Sequence, residues 1–422
     1  MNRLRPLACL PLVLSLALAG CDHDDAPAAA ARGGGTPPAA PISPDYWPVA
    51  GWQTTTPEAQ GFAPGALDTL AEDAATALPY HTSLMVIRNG WVVHESYHDT
   101  PDVPAVTDTT RHVLYSVSKS VTSLVVGRAW TLGDLDTLDA TVEDTLPAGV
   151  VATLPAGDAR RNITLRHALQ MRSGLRWNET AWLLSFNNPM IRVAAGLEPA
   201  CPKNGNATLA AGDSVLCGVL QQPTAWTPGT VWNYNTYDTY LVSAFFQHLT
   251  GERLGVYAGT NLFTPMGISF DPATDWQEVP TPGTYTFGGA GLTLTTRDLG
   301  RIGLLALYNG EWNGTRLVSE EWMNLALAAQ GDGQVAAFDG AGNPSGSTAA
   351  YIPYGLQWWR VTGPGLGGLP AITARGLGGQ NVHVFRDKEL IIVLTCDDAQ
   401  LTGRDTEIQD FLTTHILNQL TD

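Results

Sequence analysis

Apolar runs of β type lie near both ends of the chain, and helical patterns of apolar and polar positions lie between them. Leu84-Met85-Val86-Ile87 and Trp91-Val92-Val93-His94 flank Arg88-Asn89-Gly90. Two β-rich runs around an Asn-Gly turn read as a hairpin, because those two residues accept the positive φ of a tight turn. The pattern turns helical over 113–132 and again over 164–171, where Ser173-Gly174 ends it. An amphipathic helix is predicted over 239–250, closed by Gly251. Another is predicted over 296–308, opened by a Thr-Arg-Asp cap and stopped by Asn309-Gly310. Strand patterns return in Tyr354-Gly355-Leu356-Gln357-Trp358-Trp359, in 382–385 and in 390–395. Strands at both ends with helices between them predict an α/β (α+β) fold. A discontinuous sheet subdomain is expected over about 46–129 and 286–422, with a mostly helical insertion over about 130–285. The stretches 180–215 and 330–350 show no interpretable pattern and are expected to be loops that shape a cleft.

The first 45 residues stand apart from this pattern. Arg3 and Arg5 precede an apolar run over 7–18, shorter than the roughly 20 residues a membrane-spanning helix needs. The run ends in Leu18-Ala19-Gly20-Cys21, which resembles the bacterial lipoprotein signal, in which the cysteine is acylated after cleavage. The plainer alternative is an ordinary secretory signal with an incidental cysteine; both readings export the protein. Residues 1–20 are therefore expected to be a signal peptide and Cys21 a lipid-attachment site. That places the protein in the bacterial periplasm or cell envelope, anchored to a membrane. Residues 21–45 are dominated by Asp, Ala, Gly and Pro; such a segment buries too little to offset its ordering entropy and is expected to be a flexible tether. The folded part then spans 46–422.

Charge and cysteine content narrow the partners. The chain carries 23 Lys and Arg against 40 Asp and Glu, a net charge of −17. Removal of residues 1–20 takes away Arg3 and Arg5 and no acid, leaving −19. With no basic run to override this, nucleic acid is excluded as a partner. Of the five cysteines, Cys201 and Cys217 are expected to pair in an oxidising compartment. Cys396 lies in an apolar β run and reads as a core residue. No Cys/His set has metal-ligand spacing, so neither metal nor cofactor is expected.

The candidate chemistry lies in Leu114-Tyr115-Ser116-Val117-Ser118-Lys119-Ser120-Val121-Thr122-Ser123. On a helix starting near Ser116, Ser116 and Lys119 fall at i and i+3 on one face. The serine then sits where unpaired N–H groups and the helix dipole favour a developing oxyanion. A lysine that is desolvated can take the serine's proton. Ser-x-x-Lys alone is also met by a capping serine with a surface lysine. Here the lysine leads into Ser-Val-Thr-Ser-Leu-Val-Val-Gly, a stretch that reads as buried.

Several ordered segments carry a family resemblance. They are the Arg88-Asn89-Gly90 hairpin, Ser116-Val117-Ser118-Lys119, and Ile163-Thr164-Leu165-Arg166-His167-Ala168-Leu169-Gln170-Met171-Arg172-Ser173-Gly174-Leu175. Pro228-Gly229-Thr230 before Tyr234, Gly288-Gly289-Ala290-Gly291 before Thr296-Arg297-Asp298, and 354–359 follow. Over about 55–420 the chain resembles the serine β-lactamase-like hydrolases of the class C and D-alanyl-D-alanine carboxypeptidase type, and most of all their esterase and 6-aminohexanoate-dimer hydrolase branch. The resemblance implies an antiparallel sheet flanked by helices and a helical insertion. It also implies a cofactor-free serine hydrolase acting through a Ser116 acyl-enzyme.

By the same resemblance Tyr234, in Trp232-Asn233-Tyr234-Asn235-Thr236, takes the tyrosine role of a Tyr-x-Asn motif, with Thr236 where the asparagine is expected and Tyr237 and Tyr240 as nearby competitors. The third motif, Lys-Thr-Gly or His-Thr-Gly, maps onto Arg375-Gly376-Leu377-Gly378-Gly379-Gln380, where Gly376 replaces the cation that reads a substrate carboxylate. That loss favours a carboxylic ester or simple amide over a β-lactam or a D,D-peptide. A non-catalytic ligand-binding relative is the other alternative. The oxyanion hole is assigned to the N–H groups of Ser116 and of Gly378 or Gly379. Arg375 either substitutes as an anion anchor or points away. His167 is the family's structural histidine, Arg297 and Asp298 are expected to tie down a helix, and one of Trp358 and Trp359 is expected in the core.

Overall fold

The computed structural model of the chain describes residues 44, 46–179, 209–339, 342–361, 364–397 and 405–421. The expected signal, Cys21, nearly all of the tether and Cys201 lie outside them. Its strands are β1 (His81–Arg88), β2 (Trp91–Tyr97), β3 (Val231–Trp232), β4 (Gly331–Phe338), β5 (Pro344–Ile352), β6 (Trp359–Val361), β7 (Ala371–Gly376), β8 (Gln380–Phe385) and β9 (Leu390–Cys396), together with minor two-stranded pairs. The principal helices are α1 (Leu70–Ala77), α2 (Val117–Leu132), α3 (Leu165–Leu169), α4 (Ala211–Leu220), α5 (Thr236–Thr250), α6 (Thr296–Leu307), α7 (Glu320–Leu327) and α8 (Asp405–His415).

Strands from both ends of the chain form one six-stranded sheet in the order β6-β7-β8-β9-β1-β2, antiparallel throughout. Asn89 (φ 52°) and Gly90 (φ 88°) make the tight β1–β2 turn that the dipeptide predicts. Because side chains alternate across a strand, the sheet feeds two cores. Met85, Ile87, Val382, Val384, Ile391 and Val393 face the larger one, with α2 and α6. Leu84, Val86, Phe385, Ile392 and Leu394 face the smaller one, with Leu70 and Ala74 of α1 and Ile408, Phe411 and Leu412 of α8. Each such side chain contributes about 1.5–3 kcal/mol by leaving water. The result is a β-lactamase-like fold: an antiparallel sheet between helical layers, with α3, α4 and α5 packed beyond α2.

Two expectations change. Only the end of the run 354–359 is strand: Trp359 opens β6, whereas Gln357 has φ 69° and Tyr354 bridges to Trp359. Residues 354–358 instead form a turn that is buried along its whole length. Gln357 staples three helices there. Its main-chain carbonyl accepts from Ser120 Oγ (2.7 Å) and its Oε1 from Thr239 Oγ1 (2.7 Å), while Nε2 donates to Leu169 O (2.8 Å). The stretch 330–350 is no loop either: β4 and β5 form a hairpin, and β4 pairs in parallel with β3 immediately before Tyr234. The sequence there is polar and small on both faces, because β5 is exposed along nearly its whole length.

Candidate active site

The chain enters the site through a constrained turn. Tyr115 sits in the left-handed region (φ 46°), an unfavourable place for a bulky residue that recurs where geometry is over-determined. Ser116 follows as the N-cap of α2, yet its hydroxyl makes no capping hydrogen bond. It accepts instead from Lys119 Nζ at 2.7 Å. Lys119 is 1% exposed, so the alternative of a capping serine with a surface lysine fails on both counts. Two more acceptors hold the amine, Thr236 Oγ1 and Gly289 O, each at 2.9 Å. Burial pulls the lysine down from its usual range to about 8, against the raising effect of the Glu179 charge. A substantial fraction is then neutral near physiological pH, which a general base requires.

Tyr234 lies directly over this pair. Lys119 Nζ sits 5.0 Å from its ring centroid. Trp359 (5.4 Å between centroids) and Tyr354 (5.9 Å) hold the ring in place. Burial, reinforced by the Glu179 charge, raises the phenol well above its ordinary range. It therefore stays protonated, as a group that donates a proton to a leaving atom must be. The two competing tyrosines are engaged elsewhere: Tyr240 donates to Val279 O (3.1 Å), and Tyr237 packs edge-on against Trp177 (4.4 Å).

Thr236 opens α5, three residues earlier than the pattern predicts, because Asn235 caps the helix by accepting from Tyr237 N–H at 2.8 Å. The hydroxyl of Thr236 donates to Glu179 Oε1, and its main-chain N–H donates to Oε2 at 3.0 Å. Trp177 Nε1 also donates to Oε2. Glu179 and the carbonyl of Gly289 are the site groups that the sequence reading missed. Gly289 is a glycine because a Cβ there would stand 2.7 Å from Thr236 O.

On the other side of the serine, β7 ends at Gly376. A Cβ on Gly376 would collide with Leu114 O and reach 3.3 Å from Ser116 N. The close approach to the backbone of Ser116 is thus made at Gly376, ahead of Gly378 and Gly379, which were expected to make it. Gly378 (φ 77°) and Gly379 (φ 92°) follow in a 3-10 turn, Leu377–Gly379. A Cβ on Gly379 would lie 3.0 Å from Cys396 Sγ and from Ile408 Cδ1, in the smaller core.

A family model described as Beta-lactamase matches residues 80–412. The chain belongs to the β-lactamase family. Among curated proteins it is 26% identical over 316 residues to the 6-aminohexanoate-dimer hydrolase of Paenarthrobacter ureafaciens, covering 74% of this chain and 71% of that one. Among solved structures it shares the fold of a penicillin-binding protein homolog from Caulobacter crescentus (TM-score 0.57, 17% identity, 85% of this chain and 99% of that one). It also shares the fold of EstCE1, a hydrolase with promiscuous acyltransferase activity (TM-score 0.58, 16% identity, 82% of this chain and 97% of that one).

Other residues singled out in this β-lactamase-family hydrolase fall as follows. Arg375 is ion-paired with Asp405 of α8 and lies over the Trp359 ring at 5.6 Å, so its charge is already matched at the edge of the site. His167 completes a capping box with Thr164, and a Cβ on Gly229 would come 2.8 Å from its Nε2, a structural arrangement. Arg297 pairs with Glu95 (2.8 Å) and Asp108. Asp298 closes a capping box with Thr295, which fixes the start of α6. Trp358 is fully buried and Trp359 packs on Tyr234. Cys396 is a buried core thiol. Cys217 is disulfide-bonded, and Cys201, its expected partner, lies outside the described residues.

Proposed function

We propose that this β-lactamase-family serine hydrolase cleaves a carboxylic ester or simple amide through an acyl-enzyme on Ser116. The observation that carries the reading is the 2.7 Å contact between Ser116 Oγ and a fully buried lysine held down at about 8. In the reaction Ser116 Oγ bonds to the carbonyl carbon while its proton passes to Lys119 Nζ. The carbonyl oxygen takes the electron pair beside Ser116 N–H at the helix N-terminus, with the second donor from the Gly376–Gly379 turn, Gly378 or Gly379 being the candidates. The tetrahedral centre collapses, and the leaving alcohol or amine receives a proton from Tyr234, which Lys119 reprotonates. Water then attacks the acyl-enzyme, giving its proton back through the same pair.

Two features favour esters and linear amides over β-lactams and D,D-peptides. Gly376 stands where the relatives' carboxylate-reading cation would be, and Arg375 is already paired with Asp405. The likeness to a hydrolase of 6-aminohexanoate dimer supports linear amides alongside esters. The Leu18–Cys21 signal supports a lipid-anchored place in the cell envelope. The test is hydrolysis of p-nitrophenyl butyrate and of a linear dipeptide-like amide by the wild type and by Ser116→Ala. Turnover by the wild type alone, with nitrocefin left intact, is expected. Activity that survives in Ser116→Ala would overturn the reading, and rapid nitrocefin turnover would return it to the β-lactamases.

A further inference from the structure

A neutral amine has two N–H bonds and one lone pair. Lys119 Nζ has three neighbours, Ser116 Oγ, Thr236 Oγ1 and Gly289 O. To take the proton of Ser116, the lone pair must face Ser116, so both N–H bonds must be spent on the other two. Gly289 O only accepts. Thr236 Oγ1 can do either: a hydroxyl that donated to the lysine would occupy the lone pair and turn an N–H toward Ser116, which blocks proton transfer. An asparagine at this position would avoid the ambiguity, since its carbonyl oxygen can only accept. A threonine needs something to take its hydrogen.

Glu179 is placed to do so. Its two oxygens clamp Thr236, Oε1 accepting from the hydroxyl and Oε2 from the main-chain N–H at 3.0 Å. The indole N–H of Trp177 also binds Oε2 and fixes the carboxylate. We propose that Glu179 is a positioning residue: by taking the hydroxyl hydrogen of Thr236 it makes Thr236 Oγ1 an obligate acceptor for Lys119 and so aims the lysine's lone pair at Ser116. The Thr236–Glu179 pair thereby does the work of the single asparagine in relatives with Tyr-x-Asn. This rests on Ser116 being the nucleophile and Lys119 its base.

The charge of Glu179 has a separate, measurable effect, because it opposes the burial that lowers Lys119. In Glu179→Gln that opposition is gone, so the acid limb of the activity profile moves to lower pH. The new amide can also donate to Thr236 Oγ1 and free its hydroxyl to face the lysine. The plateau of kcat/KM is then expected to fall about tenfold or more, part of the 10²–10⁴-fold that positioned proton transfer supplies.

The full-length enzyme carrying Glu179→Gln, Thr236→Asn and both together closes a cycle. The inference expects Glu179→Gln to cost far less in the Thr236→Asn background, within about threefold, because asparagine accepts without help. An unchanged plateau in Glu179→Gln, or an equal loss in both backgrounds, overturns it. Should Glu179→Gln fail to fold, Thr236→Val and Thr236→Asn are compared with each other: a loss about tenfold or more larger in the first than in the second supports the acceptor role, and equal loss removes it. Ser116→Ala is run alongside. If it keeps turning over, the proposed function falls; if it is dead while Glu179→Gln is unimpaired, only the role of Glu179 falls.

Discussion

Where β1, β9, residues 111–113 and α6 meet, five buried polar side chains close a ring. His112 Nδ1 lies 3.3 Å from Thr82 Oγ1, Thr82 is 2.8 Å from Thr395, Thr395 2.6 Å from Ser83, and Ser83 2.6 Å from Thr296, whose Oγ1 returns to His112 Nε2 at 3.5 Å. The site built on Ser116, Lys119, Tyr234, Thr236 and Glu179 is also a buried polar cluster, and its Ser116 follows His112 by four residues. The difference lies in what each can exchange. In the ring every member is at least nine-tenths buried, and burial pushes His112 down to about 4, so the histidine stays neutral and inert near neutral pH. In the site Ser116 and Tyr234 keep partial exposure, and the base titrates near 8. The residue type most often suspected of acid–base work stands in the structural cluster, and the proposed base is a lysine. Buried polarity by itself therefore says little about chemistry; an open face and a base poised near the working pH say more.

The comparison is broken most directly at Lys119. Lys119→Met should remove about 10²–10⁴-fold of kcat/KM toward p-nitrophenyl butyrate, with the fold retained by circular dichroism. Activity within a few-fold of wild type would mean that both clusters are structural. A smaller effect separates the clusters by pH. Lys119 works only when neutral, and its folded-state value of about 8 means that the protonated form dominates below that pH. kcat/KM should therefore fall about tenfold per pH unit below 8, or about a hundredfold at pH 6. A flat profile from pH 6 to 9 would exclude Lys119 as the base. The least effect on activity is expected in the ring. Thr395→Val takes one hydrogen-bond partner from each of Thr82 and Ser83 and should cost about 1–3 kcal/mol in urea unfolding while changing kcat/KM by no more than roughly twofold. A large loss of activity there would tie the ring to the reaction.

The half of the site that lies along one helix was readable from the sequence, because Ser116 and Lys119 are three residues apart and a helix must bring them together. The inner strands β1 and β9 were readable for a similar reason, since both are apolar runs set off by turn residues. What escaped was long-range or carried by the main chain. Glu179 meets Thr236 across 57 residues, and Gly289 contributes a carbonyl that every residue owns. The signal for Glu179 was indirect: a threonine in the asparagine position leaves a hydroxyl hydrogen to be placed, and an acid nearby in space is the economical solution. The turn at 354–358 was not legible because aromatic and aliphatic residues record burial and not the left-handed backbone that Gln357 adopts.

The glycine at 376 also orders the mutational routes open to this enzyme. Gaining a carboxylate-reading lysine or histidine there would require room for a Cβ, and that room is taken by the main chain at Leu114 and Ser116. The obstacle cannot swing aside as a side chain would, so a single substitution would displace the nucleophile before it recruited a new substrate. Any path toward peptidoglycan or β-lactam recognition must first shift β7 away from the start of α2 and only then acquire the cation. Libraries that vary position 376 alone would sample damaged hydrolases rather than new specificities.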